Sequence, residues 1–162
     1  QEEREATVKI PVGIEDGATM RVAGGGGDPV GAGRPGDLYV LVTVADDPRF
    51  ERDGTELLTA VDVSITQATL GAELDLDGLA EPVKLKVPAG TQPGAMFRFR
   101  AHGLPRLHGG ARGDLHVQVN VRIPAKISPA QEKLLREFAE LAGEDQPKDQ
   151  DGGLFGGLFK RK

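Results

Sequence analysis

The chain predicts a mainly β fold: two tandem small β-sandwich-like domains related by an internal repeat, with a C-terminal helix. Three observations predict it. First, a shift of 77 residues lays Val8–Val44 on Leu85–Val121 without a gap, and fourteen of the 37 positions are identical. Two copies at this spacing are too few and too far apart for a solenoid, so they read as paired domains. Second, both copies alternate with the period of a half-buried strand, most cleanly where Leu115, Val117, Val119 and Val121 are interleaved with His116, Gln118 and Asn120. Third, the period becomes helical after Pro124.

Each copy repeats one order of elements. A short alternating strand ends at Pro11 or Pro88, because proline has no N–H to continue a ladder. "PxGxxxG" then supplies a turn with two positions open to positive φ. A second strand follows, "ATMRVAG" or "AMFRFRAHG", then a glycine-rich loop, a Gly-Asp turn and a last strand. That strand is "GDLYVLVTV" in one copy and "GDLHVQVNV" in the other, so Tyr39 and Leu41 make the first copy's outer face greasier than a solvated face needs. Between the copies, Asp53–Ile65 reads as a strand and Thr66–Gly71 as one helical turn stopped by glycine. "AELDLDGL" and "PVKLKVP" read as a hairpin turning at Asp77-Gly78. Beyond Pro124, Ser128 is an N-cap, Pro129 suits the first helical position and Gln131 completes a capping box. Leu134, Leu135, Phe138, Leu141 and Ala142 share one face, and Gly143 ends the helix. The expected boundaries are 1–48 for the first β domain, 49–124 for the second, 125–143 for the helix, and 144–162 for a polar linker with an apolar and basic tail, "GLFGGLFKRK".

Composition bounds the function. The chain has 162 residues, 38% hydrophobic and 28% charged, enough for one ordinary domain or two small ones. Large side chains are scarce, with no Trp and one Tyr, which suits two small cores better than one deep one. A net charge of −5 argues against a nucleic-acid binder, which would need a basic stripe to neutralise phosphates. Without cysteine there is no disulfide and no cysteine-based zinc site, and a reducing cytoplasm is the expected location. No apolar run reaches the roughly 20 residues of a membrane span, so no membrane partner is expected. No signal peptide is visible, and the start at "QEEREATV", without Met, reads as a piece of a longer protein.

Catalytic readings fail on context. Gly31, Gly33 and Gly36 spell G-x-G-x-x-G, but the loop contains Pro35 and leads into a strand, where a dinucleotide site needs a helix N-terminus. The repeated Asp37 and Asp114 could be imagined as a carboxylate pair, but an Asp opening a strand after Gly is expected to accept turn amides. His102, His108 and His116 lack the cysteines and spacing of a zinc site. No serine or cysteine occupies a nucleophile motif, so an enzyme is not expected. The helix face is the strongest interaction signal: either it covers the second β domain or it pairs two chains. Burying Leu134, Leu135, Phe138 and Leu141 yields roughly 6–12 kcal/mol gross, against about 4–15 kcal/mol for association. A helix pair is therefore marginal alone. Leu154, Phe155, Leu158 and Phe159 could add a second contact across the dimer, and with Gly156 and Gly157 between them they are expected to order only on docking.

Taken together, "VKIPVGIEDGATMRVAGGG", "GRPGDLYVLVTV", "DPRFERDGTELL", "ATLGAEL", "VKLKVPAGTQPGAMFRFRAHGLP", "RGDLHVQVNVRIP" and "ISPAQEKLLREFAELAG" resemble, in order and spacing, the C-terminal region of the DnaJ family of J-domain co-chaperones. The resemblance spans nearly the whole chain. It implies two β-sandwich-like peptide-binding domains and a dimerising helix. It also implies missing parts: the J domain with its His-Pro-Asp signal to the DnaK chaperone, the Gly/Phe linker, and the opening strands of the first β domain. In members that carry a zinc module, that module would precede residue 1; this chain itself needs no cofactor. By position, the family's apolar client groove maps to Ala6 and Val40, beside Val8 and Val42, and the small Ala6 implies a shallower pocket. The alternation of the strand points instead to Tyr39 and Leu41.

The expected function is therefore the client-binding, dimerising part of a co-chaperone. It would hold extended apolar segments of unfolded polypeptides and deliver them, as a homodimer, to a DnaK-type chaperone, with the second copy as a rigid spacer. The alternative is a structural dimerisation or spacer module that binds no client. A carbohydrate-binding β sandwich would want exposed aromatics for stacking, and Tyr39 is the only plausible one.

Overall fold

A computed structural model describes residue 5 and residues 7–27, 31, 33–107 and 109–144. The chain divides into two compact units, Gln1–Ile123 and Pro124–Lys162.

The described residues of the first unit form three sheets. Strands β1 (Thr19–Val22) and β2 (Leu38–Leu41) form an antiparallel pair. A four-stranded sheet has the order β3 (Glu51–Asp53), β4 (Glu56–Ser64), β8 (Leu115–Arg122), β7 (Met96–Phe99). A hairpin joins β5 (Ala72–Leu76) to β6 (Val83–Val87). The β4–β8 pair is parallel, from Leu57 opposite Leu115 to Ser64 opposite Arg122, while the other pairs are antiparallel. A parallel pair needs a crossover. Here it is made by the short helix α1 (Ile65–Leu70), the β5–β6 hairpin and β7.

The sequence explains the turns of that crossover. Ser64 ends β4 and caps α1: the Gln67 N–H donates to the Ser64 hydroxyl at 3.1 Å, and the Ser64 N–H donates to the Gln67 amide oxygen at 2.9 Å. The loop after Pro88 returns to the same helix, where the Gly90 and Thr91 amides donate to the Ala68 carbonyl at 2.9 and 3.0 Å. The core lies in the second copy. Leu57 and Val63 of β4 and Leu115, Val117 and Val119 of β8 form one cluster with Val83, Leu85 and Val87 of the hairpin. Alternation does this: β6 reads buried-exposed-buried-exposed-buried, with Lys84 and Lys86 pointing to water.

Four expectations change. Two cores were expected, but no hydrophobic residue of the first copy is fully buried among the described residues, and Met20, Val22, Leu38 and Val40 stay half-buried. Among the described residues only β1 and β2 meet there, and no second layer covers them. Val8–Ile10, which matches Leu85–Val87, is irregular: among the described residues no strand pairs with it, whereas β5 pairs with Leu85–Val87. The hairpin turns through six residues, 77–82, since Leu76 pairs with Val83; Asp77-Gly78 is not a two-residue turn. The strand expected from Asp53 begins at Glu56, because Asp53 closes β3 and Gly54 turns the chain into β4 at φ 57°.

The second unit contains helix α2 (Pro129–Leu141). Its capping box is formed, with the Gln131 N–H donating to the Ser128 hydroxyl at 3.3 Å and the Ser128 N–H to the Gln131 amide oxygen at 2.8 Å. It stops where Gly143 takes φ 72°: the Gly143 amide donates to Glu140 at 3.1 Å and the Glu144 amide to Ala139 at 3.0 Å, which satisfies two of the last carbonyls.

Candidate functional site

The repeat is structural down to single hydrogen bonds. In the first copy the Asp37 carboxylate accepts the Arg21 Nε–H at 2.6 Å and the Gly24 amide at 3.0 Å. In the second, Asp114 accepts the Arg98 Nε–H at 2.5 Å and the Ala101 amide at 2.8 Å. Both acids therefore join a turn amide to an arginine on the neighbouring strand. The Ala101 amide, and after it the Arg98 guanidinium, hold the Asp114 carboxyl below its ordinary value of 3.8. These carboxylates are committed to the turns and strands of the fold. Gly26 and Gly103 close the same loop in each copy, donating to Gly36 and Gly113 at 2.8 Å. A Cβ at Gly103 would sit 2.5 Å from the Thr55 carbonyl oxygen, so only glycine fits.

On this shared frame the outer faces differ. Across β1 and β2, Thr19 lies opposite Leu41 and Arg21 opposite Tyr39; at the same places β7 and β8 set Met96 against Gln118 and Arg98 against His116. Tyr39 is 64% exposed and Leu41 68%, whereas Val40 faces the other way with Met20 and is half-buried. Val42 and Val8 are half-buried too, and Ala6 lies outside the described residues. The two candidate sets are thus separated by strand face: Tyr39 and Leu41 are outward, Val40 and Val42 inward. The edges differ as well. β8 is central, with β4 on its far side; the matching edge of β2 has no partner among the described residues. Since the Val42 amide donates to Ala18 at 2.9 Å, alternation turns the main-chain groups of Tyr39 and Leu41 toward that free edge.

The other candidates fall out as follows. On α2, Leu134, Leu135, Phe138 and Leu141 are all exposed, Leu141 at 90%. Leu154, Phe155, Leu158 and Phe159 lie outside the described residues, as does His108. His116 Nε2 meets Glu56 Oε2 at 2.9 Å and the Asp114 amide donates to the same oxygen at 3.1 Å, so this histidine clips β8 to β4. Among the described residues no group of three potential ligands could hold a metal ion, and no helix is long and apolar enough to cross a membrane.

Sequence reading missed a cleft of about 1020 Å³ where the two copies meet. The loop of the first copy at Gly13–Asp16 rests on the second: the Arg52 guanidinium donates to the Ile14 carbonyl at 3.1 Å, and a Cβ on Gly13 would strike the Pro105 carbonyl oxygen. The lining of the cleft comes from six separate places in the chain, so no local motif announces it. The nearest signal is the charge-dense "ADDPRFERD".

Fold and face together define a class: a duplicated β protein with one apolar outer strand face and a helical C-terminal appendage. A family model described as DnaJ C terminal domain matches residues 1–124, and another, Chaperone protein DnaJ C-terminal region, matches residues 130–161. The chain belongs to the DnaJ C-terminal domain family. It is 45% identical over 145 residues to the chaperone protein DnaJ of Ruminiclostridium cellulolyticum, covering 90% of this chain and 38% of the relative. It is 44% identical over 158 residues to that of Brevibacillus choshinensis, 98% of this chain and 42% of the relative. With the Latilactobacillus sakei protein it shares 42% over 163 residues, 100% of this chain and 42% of the relative. The chain thus spans about two fifths of the length of the curated relatives it matches.

Proposed function

We propose that the chain is the polypeptide-holding and dimerising part of a cytoplasmic co-chaperone. Residues 1–48 hold an extended apolar segment of an unfolded client. Residues 49–124 are the rigid spacer that carries the arm, and 125–143 pair two chains, with Leu154, Phe155, Leu158 and Phe159 of the tail across the dimer. Loaded clients pass to a DnaK-type chaperone.

One observation carries this reading: Tyr39 and Leu41 stand exposed on β2, where the same frame in the second copy bears His116 and Gln118. Two large side chains held in water on the β1–β2 ladder gain roughly 1.5–3 kcal/mol each when covered. An extended peptide can cover both with alternate side chains. The name of the relatives, chaperone protein DnaJ, agrees with a client-holding role. Family position favours Ala6, Val8, Val40 and Val42, and the geometry favours the outer pair, Tyr39 and Leu41.

The test is methyl-resolved NMR of the chain titrated with a short unfolded apolar peptide. Shifts at Leu41, with Tyr39 ring signals moving alongside, support the outer face. Shifts at Val8, Val40 and Val42 alone move the groove to the inner face. Silence throughout the first copy, with the dimer intact, leaves the structural spacer as the function of this piece.

A further inference from the structure

We infer that the cleft between the two copies is a second docking site, selective for polypeptide segments that combine apolar with positively charged side chains. This rests on the reading that the chain holds unfolded polypeptide, and adds a place and a charge preference to it.

The floor of the cleft is largely apolar, with Gln118 as its polar member. β4 and β8 run side by side, so Ala60 lies opposite Gln118, and Gln118 in turn opposite Met96. Leu58 precedes Ala60 on the same face by the two-residue period. Met96 is 52% exposed here, a large unbranched side chain that adapts to varied shapes. The rim is acidic. Glu15, Asp16, Asp46, Asp47 and Glu51 line it against two cations, Arg49 and Arg52.

Neither cation is available. Arg49 is held by Asp47 at 2.7 and 3.0 Å and lies 5.1 Å from the Phe50 ring centre, and that pairing pulls the Asp47 carboxyl down to about 2. Arg52 donates to the carbonyls of Gly54 and Ile14. Asp16 is engaged by the Val44 amide at 2.8 Å. The carboxylates of Glu15, Asp46 and Glu51 have no ion pair or hydrogen bond among the described residues. They are what an occupant meets.

Charge complementarity selects the occupant. An anionic ligand is repelled. A single metal ion is not suited, because no three acids of the described residues converge on one point. At about 1020 Å³ the cleft reaches the upper end of small-molecule pockets, which run about 300–1,000 Å³. Spaced carboxylates over a greasy strip match spaced lysines or arginines alternating with apolar side chains, each long aliphatic stem lying on the floor while its charge reaches the rim.

The experiment uses the whole chain and three short peptides: alternating leucine with lysine, with glutamine, and with glutamate. Affinity is read by fluorescence anisotropy, and location by the methyl signals of Met96, Leu58 and Leu41. The variant is Glu15→Gln/Asp46→Asn/Glu51→Gln, which keeps shape on exposed positions. We expect the lysine peptide to shift Met96 and Leu58 and to bind the variant about five- to tenfold more weakly, a factor of about two per screened charge. The difference should shrink at high salt. The glutamine peptide should bind both proteins alike. Equal affinity of the lysine peptide for both proteins overturns the inference. So does a lysine peptide that moves Leu41 and leaves Met96 still, although client holding then stands. No binding of any peptide anywhere overturns both.

Discussion

The two copies carry the same leucine, Leu38 and Leu115, at the same place on the same strand, and truncating each to alanine should cost very different amounts. Leu115 is 0% exposed, with Leu57 of β4 on one side and Phe99 of β7 on the other. Leucine to alanine removes three carbons. At about 0.8 kcal/mol per methylene the transfer loss is roughly 2.4 kcal/mol. Ladders on both sides keep the site from collapsing, so a cavity term brings the total to about 3–4 kcal/mol. That is a large share of the roughly 5–15 kcal/mol that holds a domain together. Leu38 is half-buried, and among the described residues its strand pairs only with β1 and no second layer covers it. About half of the transfer term and no cavity term remain, about 1 kcal/mol. Urea unfolding should be followed by far-UV circular dichroism for the whole chain. Tyrosine fluorescence follows the first copy alone, since Tyr39 is the chain's one tyrosine and there is no Trp. Leu115→Ala should lower the dichroism midpoint strongly without changing the slope, and Leu38→Ala only slightly. Equal costs, or a Leu115→Ala loss below about 1 kcal/mol, would refute the reasoning that the second copy holds the only complete core among the described residues.

Three further outcomes follow from the repeat and its helix. Ala101 has φ 61° where the first copy has Gly24 at φ 70°. Ala101→Gly should therefore stabilise by about 0.5–1 kcal/mol, the left-handed strain of about 1–2 kcal/mol less the added freedom of the unfolded chain; a lowered melting temperature would contradict this. The Asp114 carboxyl is depressed below 3.8 by the Ala101 amide and the Arg98 guanidinium, so its stabilisation is complete above that value and is lost as pH falls through the folded pKa. Asp114→Asn should then lose less melting temperature than the parent between pH 7 and pH 3; an unchanged difference would count against the linkage. Sedimentation of the chain, of a version ending at Gly143 and of Leu134→Ser/Phe138→Ser should give dimer, weakened dimer and monomer in turn, whereas monomers throughout would end the α2 interface.

Local chemistry made much of the fold legible. The ungapped repeat announced the duplicated frame, because glycines at positive φ and an aspartate bonded to a turn amide leave residue-specific marks. Ser128, Pro129, Gln131 and Gly143 marked both ends of α2, because a helix terminus must satisfy its own main chain. The strand alternation set Tyr39 and Leu41 apart from Val40, since a period of two assigns faces without reference to any partner.

What depends on partners was decided by the tertiary structure. Val8–Ile10 and Leu85–Val87 share a pattern, yet only the second is a strand, because only it has β5 beside it. The same lack leaves the first copy half-buried while its twin closes a core. Parallel pairing of β4 with β8 joins residues 58 apart, from Leu57 to Leu115, which no window of sequence displays. The cleft at the junction arises the same way: Glu15, the stretch from Asp46 to Glu51, and Met96 are distant along the chain and line one cleft once the first copy's loop is seated on Arg52. Periodicity and turn chemistry are properties of a segment; burial, edges and clefts belong to whatever packs against it.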